Sequence, residues 1–107
     1  MTRIRLLAAA LTVLFGCGPS PEQKIELARR TVQSWTATVE KTTEALHRGA
    51  VPPVYGRQIV EAAVQSREQE AAKPEWKILP AEDRAALDQS IHRLASLLGL
   101  PQHLADS

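Results

Sequence analysis

Two seams of apolar residues, each repeating at helical period, account for most of this chain. The first runs Ile25, Ala28, Val32, Trp35, Val39, Thr42 and Leu46, at spacings that alternate between three and four. That rhythm returns every side chain to one face of an α-helix. A strand reading fails, because Val32 and Trp35 would then point to opposite faces. The second seam, Leu87, Ile91, Leu94 and Leu98, repeats at four, three and four. Between the two lies a weaker group, Val54, Tyr55, Ile59, Val60, Ala63 and Val64, followed by a wholly polar run over residues 65–70.

Punctuation between the seams sets the boundaries. Ser20 is a good N-cap, with Pro21 at the first helical position and Gln23 three residues on, a capping-box arrangement. Gly49 closes that helix, and Pro52 and Pro53 prevent its continuation. Lys73 and Pro74 end the second helix. Glu82 and Asp83 suit the positive end of a third, which Gly99, Leu100 and Pro101 terminate. The predicted helices cover residues 21–48, 53–72 and 80–98. Glu26 with Arg30, and Glu44 with Arg48, stand four apart as favourable pairs on the wet face of the first. Its interior carries Thr31, Ser34, Thr36, Thr38, Thr42 and Thr43, all mediocre helix formers, so it depends on its packed face. The polar second half of the middle helix is expected to be solvated and frayed. Trp76, Ile78 and Leu79, three apolar residues in a five-residue connection, are expected to fold back on the helices.

Short connections make successive helices antiparallel neighbours. The expected fold is all-α: a small three-helix antiparallel bundle over residues 22–100, with residues 101–107 as a tail. The alternative is a helical hairpin that completes its core by dimerising.

Upstream of the helices the pattern changes. Arg3 and Arg5 precede residues 6–15, an apolar run in which only Thr12 is polar. Ten residues are too few for a transmembrane helix, which needs roughly 20. Gly16, Gly18, Pro19 and Pro21 stop any helical extension. A basic start, a short apolar core and a small residue at the end are the pattern of a secretory signal peptide. Leu14, Gly16 and Cys17 go further: this junction resembles the lipobox of bacterial lipoproteins, with Phe15 bulkier than that family's usual residue. The resemblance covers the first 17 residues. It implies cleavage between Gly16 and Cys17, removal of residues 1–16 and acylation of Cys17, leaving residues 17–21 as the lipidated residue and a short spacer. Gly18 in place of an aspartate implies the outer membrane, facing the periplasm. The other reading is an ordinary signal peptide, or an uncleaved anchor, with an incidental cysteine.

Composition narrows the function classes. Of 13 basic and 12 acidic side chains, Arg3 and Arg5 leave with the signal, so the remainder is close to neutral with mixed signs. That argues against nucleic acid, which rewards basic clusters, and against a polybasic lipid patch. Cys17 is the only cysteine, so no intrachain disulfide competes for it.

Candidate chemistry is sparse. Glu44 and His47 form an E-x-x-H, but a di-iron bundle needs a second such motif and two further glutamates. Asp88 and His92 stand four apart and read as a surface ion pair. His47, His92 and His103 are dispersed, whereas zinc needs three or four convergent ligands. No serine has an elbow-type motif, and the glycines are isolated rather than grouped in a phosphate loop. The sequence therefore predicts no catalytic residues, no metal site and no cofactor beyond the lipid on Cys17. It predicts an anchored module that contacts an envelope protein or itself. Leu97, Leu98, Leu100 and Leu104 are the expected contact surface, with Trp76 second, because that cluster is more apolar than one bundle end needs. The competing expectations are a small-ligand or metal carrier with a pocket between helices, and a homo-oligomer built through the first seam.

Overall fold

The computed structural model describes residues 20–101. The signal segment, Gly16 and Cys17 lie outside the described residues, as does Leu104. Helix α1 spans Pro21–His47, α2 spans Pro53–Ala71 and α3 spans Ala81–Leu97, with a 3-10 turn at Pro74–Lys77 between α2 and α3. The described residues contain no strand.

The helix ends follow from local chemistry. At the start of α1 the Gln23 amide donates to Ser20 Oγ at 3.1 Å, and the Ser20 amide donates to Gln23 Oε1 at 3.0 Å. This reciprocal pair satisfies two of the orphan donors that every helix start exposes. Helices α1 and α3 end alike. Gly49 and Gly99 take φ of 68° and 71°, a left-handed conformation that side chains with a Cβ resist. After α1 the Gly49 amide then reaches Leu46 O at 3.1 Å and the Ala50 amide reaches Ala45 O at 2.8 Å. After α3 the Gly99 amide reaches Ser96 O at 3.1 Å and the Leu100 amide reaches Ala95 O at 2.9 Å. Both are Schellman closures.

Helix α1 is the common wall of the bundle, packing on α2, on α3 and on the 3-10 turn. Arg29 of α1 pairs with Asp83 in the first turn of α3 at 3.3 Å. At the other end Gly56 of α2 lies against Leu46 of α1 and Leu98 after α3. So α1 runs parallel to α3, and α2 runs antiparallel to both. Val32, Val39, Val60, Leu87, Ile91 and Leu94 are fully buried, with Leu79 beside them. Ile25, Trp35, Leu46, Ile59, Trp76, Leu98 and Leu100 pack around this cluster half-buried. One chain therefore closes its own core, with Ala28, Val32 and Val39 of the α1 seam covered by α2 and α3, so the core needs no second copy to close it. Truncating Leu94 or Ile91 to alanine would cost about 2–5 kcal/mol, a large share of what a domain this small has.

The threonines of α1 resolve their conflict with the helix internally. Thr31, Thr36, Thr38, Thr42 and Thr43 each donate a hydroxyl to the carbonyl four residues back, at 2.8–3.0 Å. Thr42 and Thr43 are buried, and this bond keeps their hydroxyls satisfied inside the core.

Three local expectations are corrected. Of the connection residues, Leu79 and Trp76 do fold back, but Ile78 is 64% exposed. Leu79 and Ile78 are adjacent on a tight turn, and only one of the two can face inward. Glu26 pairs with Arg30 at 3.2 Å, whereas Glu44 and Arg48 form no ion pair. Arg48 is the C-cap residue, and it is the backbone that joins the two, the Arg48 amide donating to Glu44 O at 3.1 Å. Helix α2 also continues through its polar half to Ala71, and Glu70 near its end is buried.

Gly56 supplies a test of the packing at the Leu46 end. A Cβ there would stand 2.8 Å from Leu46 Cδ1 and 3.1 Å from Leu98 Cδ1. Both neighbours are the ends of flexible side chains. Gly56→Ala is expected to change stability by less than about 1 kcal/mol, because the helix-propensity gain of alanine offsets the crowding. Gly56→Val, with bulk that cannot rotate away, is expected to cost about 1–3 kcal/mol. Urea denaturation of the two variants against the parent checks both values.

Candidate interaction surface

The structure divides the side chains that the sequence grouped as one contact surface. Leu98 and Leu100 turn inward and pack on the core. Leu97 remains 43% exposed. With Leu46, His47, Pro53 and Leu98 it lines an open groove of about 370 Å³ where α1 ends and α2 begins. Val54 and Tyr55, in the first turn of α2, are exposed at the same end of the bundle. Gly56 in that turn is buried, so Tyr55 and Arg57 flank a close helix approach rather than forming a free bend.

Trp76 lies elsewhere. It sits in the 3-10 turn that leads into α3, whereas Leu97 closes α3, about 25 Å away at ~1.5 Å per residue. Trp76 packs half-buried against the core with the Arg67 guanidinium over its ring, 5.5 Å from the centroid. The same guanidinium holds Asp88 of α3 through two hydrogen bonds, Nε to Oδ1 and Nη2 to Oδ2. Asp88 thus pairs across helices with Arg67 and not with His92, one turn along its own helix. A planar guanidinium that satisfies both carboxylate oxygens is the stronger partner. Arg67, Trp76 and Asp88 together tie α2, the 3-10 turn and α3.

Glu70 is the site residue that sequence reasoning missed. It lines a cavity of about 410 Å³ with Lys24, Leu27, Ala28, Thr31, Lys73 and neighbours on the 3-10 turn. Its Oε2 accepts from Lys73 Nζ at 2.6 Å, and its Oε1 is buried without a partner. The signal was positional: Val60, Ala63, Arg67 and Glu70 continue the three-four rhythm of the buried face. Polarity hid it, because a run of six polar residues reads as solvated.

Glu44 and His47 are both exposed at the end of α1, and His92 is exposed on α3. Ser90, the buried serine of α3, donates its hydroxyl to Leu87 O at 2.8 Å. Among the described residues no three histidine, cysteine, aspartate or glutamate side chains converge on a point that could hold a metal ion. No described helix is long and apolar enough to cross a membrane. Among the surface concavities are the Leu97 groove at one end and the Glu70 cavity at the other.

The half-satisfied carboxylate of Glu70 makes a stability prediction. A buried acceptor without a partner costs about 1–3 kcal/mol, and Lys73, half exposed, offsets little of it. Glu70→Leu is expected to stabilise the bundle by about 1 kcal/mol. Lys73→Ala is expected to destabilise it by less than about 1 kcal/mol, because the exposed ammonium is screened by solvent. Denaturation midpoints at neutral pH check the pair. A lower midpoint for Glu70→Leu would show that a bound water or ligand satisfies Oε1.

Compared with models of protein families, with characterised proteins and with solved structures, the chain matches none.

Proposed function

We propose that this protein is a lipid-anchored, non-catalytic interaction module of the bacterial cell envelope. Acylated Cys17 holds it on the outer membrane, facing the periplasm. Its task is to present the groove around Leu97 to an envelope protein or to a second copy of itself. The observation that carries this reading is the placement of the two ends. Only Gly18 and Pro19 separate Cys17 from the N-cap Ser20, so the anchor joins the bundle at the start of α1. The groove around exposed Leu97 lies where α1 finishes, about 40 Å along a 27-residue helix. A tether contributes effective concentration, so even a modest apolar contact is enough to hold a partner that shares the membrane.

The cavity beside Glu70 favours a second reading, a carrier for a small ligand with a donor group for the free carboxylate oxygen. A ligand that binds only the folded state, at 100 times its dissociation constant, raises stability by about 2.7 kcal/mol. A thermal-shift panel of metals, amines and lipids separates the two: a clear rise in Tm supports the carrier.

The anchored reading is tested by intact mass and by affinity capture from detergent-solubilised native membranes. The parent is expected to carry acyl chains on Cys17 and to fractionate with membranes, and Cys17→Ser is expected to lose both. A specific envelope protein captured with the parent is expected to fall about tenfold with Leu97→Asp, a substitution at an exposed position that leaves the core intact. A parent without lipid on Cys17 overturns the anchor. Undiminished capture by Leu97→Asp moves the contact away from the groove.

A further inference from the structure

The end of the bundle next to Cys17 carries its own unusual surface. Ile78 and Leu27 are 64% and 58% exposed, the two highest values among the described large apolar side chains. Both lie at that end. The cavity shared by Lys24, Leu27, Lys73, Pro74 and Glu75 shows that the approach to the 3-10 turn rests against the first turns of α1. Ser20, the N-cap of α1, is one turn from Lys24, whose amide donates to Ser20 O at 3.0 Å. Cys17 stands three residues before Ser20, so its extended reach is about 10 Å.

Ile78 is also held rigidly. Its amide donates to Glu75 O at 3.0 Å, and the next residue, Leu79, is buried in the core. Trp76, two residues earlier, is pinned between the core and Arg67. The exposed side chain therefore projects from a turn that is fixed on both sides. Lys77 precedes it, exposed, with a long stem that can lie along an apolar surface while its ammonium group stays at headgroup level. Glu22, Glu75 and Glu82 are near the same end, so its charge is mixed and cannot bind a membrane by itself.

We propose that this end of the bundle is a second membrane contact: Ile78, with Lys77 before it in the chain and Leu27 exposed on the second turn of α1, inserts at the interface of the bilayer that holds Cys17. The proposal rests on the anchored reading above and adds an orientation to it. A single exposed aliphatic side chain needs no explanation on a free protein. Here the tether keeps Ile78 and Leu27 within reach of a bilayer at all times, so burying them requires no further association step. The tether and two insertion points define a plane. They lift the Leu97 groove off the membrane: the 20 residues from Leu27 to the end of α1 span about 30 Å. A bundle swinging freely on its spacer would instead sweep the groove across the surface.

An environment-sensitive fluorophore tests this in the full lipidated chain. Acylation consumes the thiol of Cys17, so a Lys77→Cys or Leu97→Cys variant has one reactive thiol, and both positions are exposed. Each labelled protein is reconstituted into vesicles of phosphatidylethanolamine and phosphatidylglycerol, after intact mass confirms the lipid. The Lys77→Cys label is expected to shift to the blue and brighten severalfold on vesicles relative to detergent-free buffer, and the Leu97→Cys label to stay unchanged. Adding Ile78→Asp to the Lys77→Cys protein is expected to abolish that response without releasing the protein from the vesicles. Equal responses at both positions, a response at Leu97→Cys alone, or one that survives Ile78→Asp would each overturn the proposal while the anchor stands. Absence of lipid in the mass spectrum is a separate failure, of the anchor itself, and takes the proposal with it.

Discussion

Burial of one stripe on α1 by two other helices at once is the constraint on which the rest of this structure depends. Val32 and Val39 are covered completely only because α2 and α3 both lie against the same long helix. Removing either neighbour would open the stripe along its length. The threonine-rich composition of α1 makes this dependence sharper, since intrinsic propensity contributes little to holding it helical. Thr42 and Thr43 can sit inside the core because each hydroxyl is returned to the backbone of its own helix. Packing thus supports a helix that would be weak alone, and that helix in turn organises the packing.

The two ends of the bundle are closed by different physics. At the Leu46 end, Gly56 lets three elements approach so closely that a Cβ would crowd Leu46 and Leu98. That closure is steric and apolar. At the other end the ties are largely polar: Arg29 with Asp83, Gln33 with Asp83, Arg67 with Asp88, and Lys73 with Glu70. These contacts sit near the surface and each contributes little, but they also carry direction and fix which helix faces which. The steric closure at the Leu46 end leaves Leu97, Val54 and Tyr55 exposed around it.

On the proposed reading, a lipid on Cys17, three residues before the N-cap Ser20, converts this asymmetry into an arrangement in space. Only Gly18 and Pro19 lie between Cys17 and Ser20, so on that reading the bundle stays within about 10 Å of the anchor. The helix then acts as a stalk as well as a core element. On this reading the chain needs no catalytic group: it sets the height and direction of a contact surface, which small mixed-charge helical domains without a converged polar site can do.

The sequence by itself determined the three helices, their ends and the stripe on α1. Those features are local: spacings of three and four, a serine cap, and two glycines at positions that demand a positive φ. It determined equally that α3 buries Leu87, Ile91 and Leu94. The partners across helices were decided only in the tertiary structure, because a charge or an aliphatic side chain carries no sign of what it will face. Asp88 had a histidine one turn away and took Arg67 of another helix. Glu70 read as solvated and was buried by its place on the rhythm of α2. The apolar cluster near the C-terminus read as one surface, yet Leu98 and Leu100 were used by the core and Trp76 was carried to the far end. Ile78 and Leu79 were indistinguishable by composition. The turn that joins α2 to α3 admits one of them to the core, and its geometry exists only when the three helices are assembled.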